Sequence, residues 1–102
     1  MKKTALAVLA LVCAFGIAQA APKHPRRAEV NLRLARQNYR IDKKVDEGKM
    51  STAEASKLHK EDHQIRQEEK DMASQDGGHI TKQEQKTLNQ QEDHVSKQIR
   101  NH

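Results

Sequence analysis

Apolar residues recur along the chain at helical intervals. Val30, Leu34, Ile41 and Val45 fall on one face if residues 28 to 46 are helical. Leu58, Ile65 and Met72 are spaced by sevens and predict a second helix over 52 to 74. Leu88, Val95 and Ile99 predict a third over 82 to 99. Positions between these apolar residues, such as Asp62 and Glu69, are charged, so each stripe reads as one narrow row. The pattern predicts an all-α protein of two or three amphipathic helices in a helical hairpin or small bundle. An extended or self-associating arrangement suits such narrow rows better than a compact monomer.

The stretches between the helices are two copies of one sentence. "DEGKMSTAEASKL" begins at Asp46 and "DGGHITKQEQKTL" begins at Asp76. Gapless pairing matches Gly48 with Gly78, Met50 with Ile80, Ser51 with Thr81, Glu54 with Glu84 and Leu58 with Leu88. Each residue has a local reason. Glycine adopts the left-handed conformation that ends a helix. Ser51 or Thr81 caps the next helix, and Glu54 or Glu84, three residues on, reaches back to the cap's own N–H. Met50 and Ile80 precede the caps, where a hydrophobic staple sits. The helical domain over 28 to 102 thus holds two repeat units, about 46 to 74 and 76 to 102, and each ends one helix and starts another.

The N-terminus changes where this domain is expected to work. "MKKTALAVLALVCAFGIAQA" has a basic start, an apolar run and an Ala18-Gln19-Ala20 cleavage signal, the form of a secretory signal peptide. Cleavage after Ala20 leaves 82 residues, periplasmic or secreted, with no anchoring span. Cys13 lies in the leader without the residues of a lipobox, so the mature chain has no cysteine and no disulfide. Loss of Lys2 and Lys3 leaves 17 basic residues against 14 acidic ones, and Tyr39 as the only aromatic. "APKHPRR", residues 21 to 27, reads as a flexible basic tail that can touch an anionic envelope surface. Interleaved acids and a single tyrosine argue against nucleic-acid binding.

Three resemblances attach to the repeat. The spacing of Gly78, Ile80 and Glu84, and of Gly48, Met50 and Glu54, resembles an EF-hand loop. The calcium positions, however, fall on Ala73, Gln75 and Gly77 in one copy and Lys43, Val45 and Glu47 in the other. Such loops lack the oxygen ligands a hard cation needs, so calcium is not expected. "ITKQE" from Ile80 and "MSTAE" from Met50 resemble the L-T-x-x-Q signature of Spy/CpxP-type periplasmic chaperones, with Glu in place of Gln. The whole layout of leader, basic segment and repeated G-x-[LI]-T-x-x-E units looks like small exported proteobacterial helical proteins of unknown function. The resemblances imply an envelope compartment and, for the chaperones, a protein client.

Candidate chemistry is sparse. His59 and His63 share a helix face and could offer two imidazoles to zinc or copper, with His94 completing the site if the helices pair antiparallel. A solvated polar face is the competing reading. His24 would be fourth in the mature chain and follows Pro22, which rules out the amino-terminal copper motif. No nucleophile arrangement or phosphate loop is evident, and the apolar content is too low to build a pocket that shifts pKa values. The sequence therefore predicts a non-enzymatic exported binding protein, chaperone-like or stress-related. Its protein-contacting stripe would be Leu58, Ile65, Met72, Leu88 and Val95, and a metal-responsive protein using His59 and His63 is the alternative.

Overall fold

The structure is a computed structural model that describes residues 23–102; the signal-peptide, cleavage-site and Cys13 expectations lie outside these residues. It contains three helices: α1 (Pro25–Asp46), α2 (Thr52–Gln75) and α3 (Lys82–Arg100). Each helix packs against the other two. Side-chain pairs fix the directions. Arg27 at the start of α1 meets Glu69 near the end of α2, and Asn38 meets His59, so these helices run antiparallel. Gln91–Glu68 and Gln98–Glu61 set α3 antiparallel to α2. Glu29–Gln85 and Arg40–Ser96 then place α1 and α3 side by side and parallel. The described residues form an up-down-up three-helix bundle, the arrangement that two short turns impose on three long helices.

The expected helix ends hold at the turns and shift at the N-terminus. α1 begins at Pro25, so Arg26 and Arg27 are helical and part of the bundle rather than of a flexible tail. Proline suits the first turn because its missing N–H has no intrahelical partner there and its φ is already helical. Gly48 (φ 72°) and Gly78 (φ 94°) supply the left-handed conformation in the two turns. A side chain at either position would be strained whatever space surrounds it. Thr81 forms the complete capping box. Its hydroxyl accepts from the Glu84 N–H at 3.0 Å, and the Glu84 carboxylate accepts from the Thr81 N–H at 2.9 Å. In the first copy only half of this forms. Ser51 accepts from the Glu54 N–H at 3.0 Å, while the Glu54 carboxylate faces His102 at 3.7 Å. Met50 and Ile80 are buried beside the caps, as staples.

The core corrects two sequence expectations. Leu58, Ile65, Leu88 and Val95 are buried between the helices, and Met72 is partly buried against them, so these residues do not form an exposed stripe for a partner. The rows are also less narrow than they look. The buried positions of α2 are 55, 58, 62, 65, 69 and 73, at intervals of three or four, and they include Asp62 and Glu69. On α3 the set is Leu88, Glu92, Val95 and Ile99; on α1 it is Val30, Leu34, Gln37 and Ile41. Counting the polar members, each helix presents the full seam that a compact bundle requires.

Candidate functional site

The middle of this core is polar. Asp62 is 1% exposed and Glu92 is 0% exposed. They are matched positions of the two repeats, and the Asp62 charge acts on Glu92. Gln37 supplies the third member from α1, and its side-chain N–H donates to the Glu92 backbone carbonyl at 2.7 Å. Among the described residues neither carboxylate has a hydrogen-bond donor, and the Gln37 side-chain oxygen also lacks one. The nearest cation to Glu92 is Arg33, at 3.9 Å from Oε1, outside hydrogen-bond range. Arg33 instead pairs with the exposed Asp93.

Burial of this kind favours the neutral acid. Desolvation pushes the Asp62 carboxyl up to about 7; His59 on its own helix opposes this, and Glu61 adds to it. From α1, the neutral Asn31 and Asn38 line the same hollow as Asp62. Desolvation pushes Glu92 up to about 8, with Arg33 opposing and the charges of Asp62, Asp93 and Glu29 adding. Each acid is thus held protonated through the mildly acidic range and ionises, in place, near neutrality.

Glu69 shows what the alternative looks like. It is as completely buried as Glu92, yet it accepts from Arg27 Nε on α1 and from Arg66 Nη1 at 2.7 Å on its own helix. The basic segment next to Pro25 therefore has a structural use: Arg27 compensates a charge in the core and donates to the Gly78 carbonyl at 3.3 Å. The same end of the bundle is tied by His24, whose Nδ1 lies 3.0 Å from His79 Nδ1.

The histidine site expected from the sequence does not assemble. His59 Nδ1 lies 2.7 Å from Asn38 Oδ1, and its Nε2 lies 2.8 Å from Asp42 Oδ1. Both ring nitrogens are thus used to join α2 to α1. His63 shares the α1–α2 hollow with His59, whereas His94 lines the separate α2–α3 groove with Glu61 and Glu68. The three do not converge, because the face that carries His59 and His63 is turned to α1. Among the described residues no group of three His, Cys, Asp or Glu side chains is placed to hold a metal ion. No helix among them is long and apolar enough to cross a membrane.

Comparisons with protein-family models, with curated proteins and with solved structures find no match to this chain. Sequence reasoning passed over Glu92 and treated Asp62 as a surface charge. The available signal was the repeat itself: an acid stands four residues after Leu58 and four after Leu88, at the next position of each buried seam.

Proposed function

We propose that this protein is an exported, non-enzymatic interaction module of the chaperone-like kind, whose bundle opens to offer its apolar rows to protein clients. The observation that carries the reading is the pair of unpartnered carboxyls, Asp62 and Glu92, in the middle of the core. A buried acid without donors weakens the packing around it once it ionises. Ionisation near neutrality would loosen α2 from α3 at the level where Leu58, Ile65, Leu88 and Val95 are stored. The stripe expected from the sequence then acts in the open state rather than in the packed one. The chain contains no disulfide to hold the bundle shut, and its core contains no aromatic side chain. The leader-like residues 1 to 20, with processing after Ala20, support a periplasmic or secreted setting, as do the segments resembling Spy/CpxP-type chaperones. Non-enzymatic action is supported by the burial of the two shifted acids, whose carboxylate oxygens lie beneath the surface.

The test is suppression of aggregation of an unfolding client at near-stoichiometric ratio, at about pH 6 and about pH 9, on either side of the two carboxyls. The proposal expects stronger suppression at the higher pH, and weaker dependence on pH in Asp62→Asn/Glu92→Gln. No suppression of several clients at either pH would sink it.

A further inference from the structure

The three helices do not share charge evenly. α1 carries seven Lys and Arg residues against three acids, while α2 carries four against six. The outer face of α1 also holds Leu32, 52% exposed, and Tyr39, 65% exposed, the two large hydrophobic residues left in solvent among the described residues. At 100° per residue, Leu32, Arg36, Tyr39 and Lys43 fall in one line directly opposite the buried seam of Val30, Leu34, Gln37 and Ile41. The line is about 16 Å long. Beside it, Leu32, Arg33, Arg36 and Arg40, with one acid, Glu29, line a groove of about 620 Å³ between α1 and α3. Arg33 is paired with Asp93, and Arg40 donates to Ser96 Oγ at 3.0 Å. Arg36 makes no such contact among the described residues. Of the three acids of α1, Glu29 accepts from Gln85 and Asp42 faces His59, while Asp46 is exposed at the C-terminal end of the face, one turn beyond Lys43.

We propose that the outer face of α1 docks on an anionic lipid surface, with Arg36 and Lys43 on the phosphates and Leu32 and Tyr39 among the upper acyl chains. The occupant follows from two features that occur together. Cations alone would fit any polyanion, and exposed apolar residues alone would fit a protein groove. A row in which a leucine and a tyrosine alternate with cations on one helix face matches the boundary between headgroups and hydrocarbon. Tyrosine suits that boundary because its ring is apolar and its hydroxyl stays wet. The face is independent of the core that opens in the proposed function: no residue of the row is buried, so the packed bundle can dock.

Tyr39 is also the reporter, since the chain has one tyrosine and no tryptophan. Its emission, with an aqueous quencher, is followed in the full chain as phosphatidylglycerol or phosphatidylcholine vesicles are added. The expected result is shielding of Tyr39 by the anionic vesicles at low salt, weakened by added salt, and little shielding by the neutral ones. Arg36→Glu, an exposed change that leaves helix content unaltered, is expected to weaken the shielding about ten- to thirtyfold in lipid concentration. Leu32→Asp should do likewise. The N-terminal apolar run is present in every variant and cancels from the comparison. Absence of shielding, equal shielding by both lipids, or indifference to Arg36→Glu would overturn the proposal. Shielding by a soluble polyanion such as heparin but not by vesicles would overturn it as well, and would assign the face to a polymer.

Discussion

Asp62 and Glu92 stand thirty residues apart, at the same position of two repeats, and bring two carboxyls without hydrogen-bond donors into the centre of one core. A duplicated helix–turn–helix sentence thereby becomes a duplicated acid. The two copies pack antiparallel, so both acids are buried in the shared core, where the Asp62 charge acts on Glu92. Desolvation is what pushes each acid upward, and for Glu92 the charges of Asp62, Asp93 and Glu29 add to it against Arg33.

Replacing one of these acids by a hydrocarbon should strengthen the fold. Asp62→Leu would extend the apolar seam of Ala55, Leu58 and Ile65. We expect stabilisation on the order of 1–3 kcal/mol at pH 8, since exchange of buried charge for packed apolar groups is favourable. Urea unfolding measures it. A loss of stability would mean that the Asp62 carboxyl has a partner of its own in the folded state.

Glu69 should behave in the opposite way. Its carboxylate is compensated by Arg27 and Arg66, so Arg27→Ala leaves a buried charge short of a donor. The expected cost is about 2–3 kcal/mol. In a double-mutant cycle with Glu69→Gln, most of that cost should disappear. Additive effects would show that the pair is not coupled.

The two caps, alike in sequence, should differ in energy. Thr81→Ala and Ser51→Ala are each expected to cost about 1 kcal/mol. Glu84→Ala should add a loss of its own, because Glu84 closes the box on the Thr81 N–H. Glu54→Ala should be close to neutral, because Glu54 does not reach back in the first copy. Thermal melts followed by circular dichroism separate the four variants.

Helix positions and turns were legible in the sequence because their signals are local. Gly48, Gly78, Ser51 and Thr81 each act within a few residues, and the structure uses each as its chemistry requires. What the sequence concealed was long-range. Asp62, Glu69 and Glu92 look like surface residues on composition alone, and reading them so made the apolar rows seem too narrow for a compact bundle. Likewise, nothing near His59 in sequence reveals that Asn38 and Asp42 occupy both of its nitrogens. The basic segment was misread for the same reason: the use of Arg27 depends on a carboxylate 42 residues away. Leu58 and Leu32 make the resulting reassignment measurable. Leu58→Ala should cost about 2–5 kcal/mol as a core truncation, whereas Leu32→Ala, on the outer face of α1, should leave stability within about 0.5 kcal/mol.

Ionisation of the two core acids is expected to loosen the bundle, and the pH dependence of its stability measures this. Both acids have folded-state values, about 7 and about 8, above the ordinary value of about 4 that they take when unfolded. Between those limits the folded state binds more protons than the unfolded one, so stability falls as pH rises. The contribution of the neutral acids is fully present below about pH 4 and lost by about pH 8. Urea unfolding of the wild-type protein across that range should show a decline on the order of several kcal/mol, much reduced in Asp62→Asn/Glu92→Gln. Stability that is flat or rises with pH, or that declines equally in the double variant, would show that ionisation of Asp62 and Glu92 does not loosen the bundle.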